Sequence, residues 1–240
     1  MTISVVMPCY KEADNLKVIL PKLKNILSSI SDNCEILVVD TIEAMDDTAQ
    51  VCKDCNDLDE PIKIRHIRRE GGNLYGDAIR TGINSAIGEY IVIMDADGSH
   101  NPKDIVRLYK ECHDNTNDVV IGSRYIKGGN THNSFILKMM SYVLNFTYRV
   151  YFGLKVMDVS NSYRIYRSDK LKSIKLESDN FDLVEEILIK LKTKYPNIII
   201  KEIPVYFNKR VYGESKRDLI KFIFSYIATM YRLKKLQKNG

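Results

Sequence analysis

Long apolar runs are missing from this 240-residue chain. No stretch of about 18 uncharged apolar residues occurs, so no ordinary transmembrane helix is expected. Leu137 to Leu154 and Leu219 to Leu236 come near. Lys138 and Arg149 interrupt the first, and Lys221, Arg232, Lys234 and Lys235 the second. The opening M-T-I-S-V-V-M-P has no basic segment followed by a long apolar one, so no signal peptide is expected. Cysteine is sparse: five, an odd number, make no disulfide framework and fit a reducing cytosolic setting. Twelve Gly and six Pro exclude a collagen-like or low-complexity protein. The strings G-x-G-x-x-G, G-x-x-x-x-G-K-[ST] and G-x-S-x-G are all absent, which removes the dinucleotide, P-loop and serine-hydrolase readings. The four His (66, 100, 113 and 132) show no metal-ligand spacing, and Cys52-Lys53-Asp54-Cys55 is a lone C-x-x-C without a second pair to complete a zinc site. The net charge of +5 is a mild excess, which does not suggest a nucleic-acid binder.

What is present is globular: 45% hydrophobic and 28% charged residues. Ile3 to Met7 and Ile36 to Val39 read as buried strands, and Ile62 to Ile67, which alternates, Tyr90 to Met94 and Val119 to Ile121 read as further strands. Apolar spacings of three and four predict helices over Asn15 to Ile30 (despite Pro21), Asp46 to Cys55, Tyr75 to Ala86 and Pro102 to Cys112. Such alternation means a mostly parallel sheet with helices on both faces, an α/β fold that binds ligands at the carboxyl ends of its strands. Beyond residue 122 the pattern weakens. A helix is expected over residues 135 to 152, a strand at Tyr163 to Tyr166, a helix over Phe181 to Lys194, a strand over Ile198 to Phe207 and a helix over Leu219 to Leu236. No linker or repeat interrupts the chain. The expectation is one domain: residues 1–122 as the alternating strand–helix half, 123–217 as a C-terminal elaboration and 218–240 as a basic amphipathic helix.

Polar residues collect at the strand ends. Asp95-Ala96-Asp97 follows the fourth strand, and two carboxylates one residue apart at a strand exit can share a Mg²⁺ or Mn²⁺ that bridges to phosphate oxygens. Alone, D-x-D is also what a solvated acidic turn looks like. Pro8-Cys9-Tyr10-Lys11-Glu12 leaves the first strand; its ring can support a nucleobase or ribose and its carboxylate can take ribose hydroxyls, although Glu12 and Asp14 also suit a plain helix start. Asp40 ends the second strand. Glu70-Gly71-Gly72-Asn73-Leu74-Tyr75-Gly76-Asp77 is a glycine-rich turn into a helix, where backbone can approach a nucleotide. The last forty residues carry ten basic side chains against three acidic ones. Within them Arg210 to Lys216 forms a turn around Tyr212-Gly213 suited to phosphate. Phe135 to Phe152 carries an apolar stripe. Such a stripe usually packs on a core; contact with a membrane interface, a lipid chain or a second copy competes with that reading.

Together these blocks resemble glycosyltransferase family 2, in its dolichyl- or polyprenyl-phosphate mannosyltransferase and glucosyltransferase branch. The matching order is V-V-M-P-C-Y-K-E-A-D-N-L, I-L-V-V-D, Gly76 to Gly82, M-D-A-D-G-S-H-N-P, Gly122-Ser123-Arg124-Tyr125, Asp158 to Arg164, and Arg210-Val211-Tyr212-Gly213-Glu214-Ser215-Lys216. The resemblance implies a GT-A, Rossmann-like fold and transfer of a sugar from a nucleoside diphosphate such as GDP-mannose or UDP-glucose. By that resemblance Pro8, Tyr10, Glu12 and Asp40 hold the nucleoside. Asp95, Ala96 and Asp97 serve the donor, with Asp95 and Asp97 on Mg²⁺ or Mn²⁺. Arg124 lies near the donor sugar or phosphates, and Arg210 and Lys216 near the donor diphosphate or the acceptor phosphate. Asp97, Arg124, Arg210 and Lys216 are the catalytic candidates.

Three stretches depart from the branch. Asp40-Thr41-Ile42-Glu43-Ala44-Met45-Asp46-Asp47 replaces an Asp-Asp-x-Ser-x-Asp pattern, so one acidic base or ribose contact is missing or shifted. Ser99 stands where Gln is common, and Asn161-Ser162-Tyr163 replaces Ser-Gly-Phe. Glu185 and Glu186 fall where other branches place an acceptor-side carboxylate; their spacing alone reads as one polar helix face. The expected activity is metal-dependent, inverting hexose transfer to a polyprenyl phosphate by a cytoplasmic protein peripheral at the cytoplasmic face of a membrane. Transfer to a soluble glycan or polysaccharide precursor, and a catalytically idle nucleotide-sugar-binding module, are the alternatives.

Overall fold

The computed structural model describes residues 2–56, 60–210, 212 and 219–239. The first half alternates as the pattern requires: β1 (Ile3–Pro8), α1 (Ala13–Ser28), β2 (Cys34–Asp40), α2 (Thr48–Asp54), β3 (Lys63–Arg68), α3 (Tyr75–Ser85), β4 (Tyr90–Ile93), α4 (Asp104–His113) and β5 (Val119–Ser123). Then come β6 (Asn130–Thr131), α5 (Phe135–Phe152), β7 (Arg164–Arg167), α6 (Ser168–Lys172), α7 (Leu183–Lys194), β8 (Ile200–Pro204), β9 (Tyr206–Phe207) and α8 (Leu219–Asn239). Seven strands form one sheet in the order β3-β2-β1-β4-β7-β5-β8. Its pairs are parallel except where β7 runs antiparallel between β4 and β5.

Period-two alternation sends successive residues of each strand to opposite faces. Val5 and Met7 join a core under α1, α2 and α4, built with Leu16, Leu20, Leu23, Leu27, Val51, Ile105 and Leu108. Val6 joins the opposite core, built with Ile79 and Ile83 of α3, Leu171 of α6, Ile187 and Leu191 of α7, and Tyr226 and Leu233 of α8. Each such aliphatic side chain contributes about 1.5–3 kcal/mol by leaving water. Pro21 sits inside α1 without ending it, because Leu16, Leu20, Leu23 and Leu27 hold the helix on the sheet across that point.

Three expectations are corrected. The single strand Ile198 to Phe207 is two strands in different sheets. β8 pairs with β5, Val205 N–H donates to Ser123, and β9 pairs with β6 in a separate ribbon. β6 and α6 carry too few residues to show a period and were not anticipated. The stripe on α5 does not pack on the core. The buried residues of α5 are Asn145, Tyr148 and Phe152, while Phe135 is 80% and Val150 69% exposed.

Candidate donor site

The site grows from the carboxyl ends of β1, β2, β3 and β4. β4 ends at Ile93, and the backbone N–H of Asp95 donates to His100 Nδ1 at 3.0 Å, which folds the acidic turn back on itself. His100 is itself held by stacking on Tyr163, with ring centroids 4.5 Å apart. Asp97 Oδ1 accepts from Ser99 N–H at 2.9 Å and from Ser99 Oγ at 2.5 Å. Asp97 Oδ2 meets Arg210 Nε at 3.0 Å. Burial pushes the Asp97 carboxyl up, but the bonds from Ser99 and the charge of Arg210 outweigh it and hold the carboxyl below its ordinary value. Asp95 Oδ2 accepts from Ser162 Oγ at 3.2 Å, while Asp95 Oδ1 is buried with no hydrogen-bond partner among the described residues.

Glu12, just after β1, faces the same cluster. Its Oε1 lies 3.8 Å from Arg210 Nη1, and its Oε2 accepts from Asn15 Nδ2 at 2.5 Å. Burial raises the Glu12 carboxyl above its usual range, opposed by Asn15 and Arg210 and reinforced by Asp97 and Asp95. Asn15 also exchanges hydrogen bonds with the backbone of Tyr212, so α1 reaches the segment that carries Arg210.

The nucleoside candidates are placed as follows. Pro8 closes β1, and Tyr10 in the following loop is 39% exposed. Asp40 is buried at the end of β2: its Oδ1 accepts from Thr41 N–H, and its Oδ2 meets Arg68 Nη1 at 2.7 Å and His66 Nε2 at 3.1 Å. Asp40 therefore neutralises Arg68 and shapes the turn before Ile42. Asp46, from the altered segment, accepts from Ala13 N–H at 2.9 Å and Thr48 N–H at 3.1 Å, so that acid ties α1 to the start of α2. Arg69 was missed by sequence reasoning. It is buried and donates to Cys9 O, Asn73 O and Leu74 O, joining the Pro8–Glu12 loop to the glycine turn. Its sole signal was its position between β3 and the glycines. In that turn Gly71 has φ +88°, and a Cβ at Gly72 would come within 2.6 Å of Asp77 Oδ2, the oxygen that accepts from Leu74 N–H and starts α3.

Arg124 leaves β5 and is buried. Its backbone N–H and Nε donate to Asp158 Oδ2 at 2.9 and 2.8 Å, and its Nη2 to Asp158 Oδ1 at 2.7 Å and Ser160 Oγ at 2.8 Å. Asp158 opens the Asp158 to Arg164 block of the resemblance, which implies no role for it. Burial pushes its carboxyl up, yet the facing guanidinium holds it below the ordinary range. Glu185 and Glu186 are not a polar face: both are fully buried. Glu186 accepts from the N–H groups of Glu177 and Ser178 and pairs with Lys190 at 2.7 Å. Among the described residues, neither oxygen of Glu185 has a hydrogen-bond partner of good geometry, and burial raises its carboxyl to about 8. Lys216 lies outside the described residues. Cys52 is buried and its thiol pushed up to about 12 by burial, so the C-x-x-C offers no ready thiolate.

Among the described residues, no group of three or more His, Cys, Asp or Glu is arranged to hold a metal ion. The donor set still fits Mg²⁺ or Mn²⁺, which use one or two carboxylates and take the remaining ligands from phosphate and water. The unpartnered Asp95 Oδ1 is the oxygen such an ion would satisfy.

A family model described as glycosyl transferase family 2 matches residues 4–175. This chain belongs to that family. A dolichol-phosphate mannosyltransferase of Pyrococcus furiosus is 33% identical over 239 residues, 98% of this chain, and the chain spans 64% of that relative's length. An undecaprenyl-phosphate mannosyltransferase of Micrococcus luteus is 30% identical over 223 residues, covering 90% of this chain and 87% of that protein. The sheet and its helices are those of GT-A glycosyltransferases. A glucosyl-3-phosphoglycerate synthase from Mycobacterium tuberculosis, solved with Mn²⁺, UDP and phosphoglyceric acid, superposes with a TM-score of 0.72 at 17% identity, over 97% of this chain and 78% of that one. As a family 2 member the chain fits the polyprenyl-phosphate mannosyltransferase-like branch that its motifs resembled.

Proposed function

We propose that this chain is a metal-dependent, inverting glycosyltransferase that moves a hexose from a nucleoside-diphosphate sugar to a polyprenyl phosphate. The observation that carries the reading is the Asp95/Asp97 pair at the exit of β4, with an unpartnered oxygen on Asp95 and a guanidinium on Asp97. The names of the curated relatives support the lipid-phosphate acceptor.

In this reading Tyr10, Glu12 and the loops after β2 and β3 receive the nucleoside, while Asp95 and Asp97 hold Mg²⁺ or Mn²⁺. When bound, that ion neutralises charge developing on the departing diphosphate. Arg210 and Lys216 add cationic donors toward the phosphates, worth most where water is excluded. Arg124, locked on Asp158, acts by fixing the Asp158–Ser162 segment, whose Ser162 bonds Asp95. The acceptor phosphate is already an anion and needs no strong base, so alignment of two anions dominates. That suits the acids of α7: Glu185 is protonated at neutral pH and Glu186 is committed to Lys190 and backbone.

No helix of the described residues is long and apolar enough to cross a membrane. The chain instead meets the cytoplasmic face as a peripheral protein, through α5. Phe135, Ile136, Met139, Val143, Phe146 and Val150 recur at helical spacing and are all more than half exposed. α8 lies beside it, with Tyr148 Oη donating to Tyr226 O at 3.2 Å and Lys234 Nζ to Tyr151 O at 2.8 Å, and it exposes Tyr231 at 74%.

The test is transfer of label from GDP-mannose or UDP-glucose into the lipid phase, with purified protein, polyprenyl phosphate and Mg²⁺ or Mn²⁺. Lipid label abolished by chelation supports the reading. Label on a soluble glycan only sinks the lipid acceptor. Tight donor binding with no transfer leaves an idle binding module.

A further inference from the structure

Asp97 has one oxygen to offer. Its Oδ1 is saturated by the two bonds from Ser99, and the Arg210 guanidinium sits on its Oδ2. The same guanidinium leans toward Glu12, 3.8 Å away. Its placement is built rather than incidental. β9 ends three residues earlier, Asn208 N–H donates to Ser99 O at 2.9 Å, and Tyr212 is gripped by Asn15. The segment is thus fastened on both sides of Arg210, by Ser99 next to Asp97 and by Asn15, which also holds Glu12.

We propose that Arg210 is the built-in counter-cation of the acidic pair: an arriving divalent cation displaces it from Asp97, and the released guanidinium passes to the donor diphosphate. This rests on the nucleoside-diphosphate reading of the site and adds to it an order of events. Two cations cannot both take the free oxygen of Asp97 at close range, since like charges repel strongly where water is thin. A guanidinium, by contrast, bonds two phosphate oxygens at once with its planar fork, so it has a better partner once the diphosphate arrives. Without a donor, Arg210 opposes the metal. With a donor, it would hold the diphosphate, whose charge the metal on the acidic pair would help to neutralise. Metal affinity is therefore low in the free protein and high in the ternary complex, which makes metal and donor bind together.

Mn²⁺ binding to the full chain, measured by electron paramagnetic resonance with and without UDP or GDP, tests this. Arg210→Ala binds free Mn²⁺ about two- to fivefold tighter than the parent, the size expected for removing one partly exposed competing ion pair. In the presence of Mn²⁺ the same variant binds the diphosphate about tenfold more weakly. Lys209→Ala removes a neighbouring exposed charge that touches neither acid and leaves Mn²⁺ affinity unchanged, which separates displacement from bulk electrostatics. If Arg210→Ala binds free Mn²⁺ no tighter than the parent, or if Lys209→Ala tightens it as much, the exchange is overturned while the donor reading survives. If the parent protein binds neither diphosphate with Mn²⁺, the donor reading falls and the exchange falls with it.

Discussion

Glu185 should make this protein lose stability as the solution turns alkaline. Its carboxyl is enclosed by Arg164, Asp182, Tyr148 and Tyr226. Burial raises it most and Asp182 adds to that, while Arg164, its own backbone N–H and Tyr226 oppose. The folded value of about 8 stands against an ordinary 4.5. The folded chain therefore keeps a proton that the unfolded chain gives up. The stability due to that proton is fully present below 4.5 and is lost as pH rises through about 8. At about 1.36 kcal/mol per pH unit the whole gap amounts to roughly 5 kcal/mol, of which about 2 kcal/mol falls between pH 6 and 8. Glu185→Gln replaces the protonated acid by an amide of the same shape. The comparison is urea unfolding of parent and variant, followed by circular dichroism at pH 6 and pH 8. The parent should lose about 2 kcal/mol more than the variant between the two. Parallel pH dependences in the two proteins would refute a buried, proton-bearing Glu185.

Three further outcomes follow from the geometry. Asp158→Ala strands the buried Arg124 charge and should cost about 3–5 kcal/mol, lowering the midpoint of thermal unfolding by roughly 8–15 °C at this chain length. Because the Asp158 carboxyl is held below its ordinary range, its contribution is present above about pH 4 and lost only as pH falls below that, so the deficit should be the same at pH 6 and 8. Gly76→Ala drives a Cβ to 2.2 Å from Ser178 O, a backbone atom, and should destabilise by about 1–3 kcal/mol in the same denaturation assay. Asp97→Asn removes the charge that faces Arg210 and should cut transfer at least about a hundredfold with little change in unfolding midpoint, read by label in the lipid phase.

Where period and burial speak together, the chain was legible. β1 through β5 and the helices between them lie within a few residues of the expected bounds, because β1, β2, β4 and β5 are buried on both faces, β3 alternates and each helix is apolar on one face. The acidic turn after β4 was legible for the same reason: a strand that ends in D-A-D can place those acids only at the sheet's rim. The second half was harder. β9 is two residues long and its partner β6 lies 76 positions earlier, so nothing local distinguishes Tyr206–Phe207 from a continuation of β8. The partners of Arg124, Asp40 and Glu12 were illegible for a related reason. Asp158, Arg68 and Arg210 are brought to them by tertiary folding, and a single sequence carries no trace of such pairs. Hydrophobic pattern misled at α5, because the same stripe describes a helix that faces a core and one that faces away from it.

The reversed strand β7 changes where useful residues are found. In a parallel sheet each strand delivers its chemistry after it ends, as β1, β4 and β5 do with Glu12, Asp97 and Arg124. An antiparallel strand set among them begins at the rim where its neighbours finish, so its chemistry comes before it. That is why Asp158 and Ser162, upstream of β7, arrive beside Arg124 and Asp95, while Arg167 at its end and Ser168 just after it lie at the opposite edge, where Ser168 N–H donates to Glu89 O, one residue before β4 begins. Residues from the first and second halves of the chain thus meet at one rim. Variation in the ten residues before β7 can reshape that rim beside Arg124 and Asp95 while the strand itself holds its place.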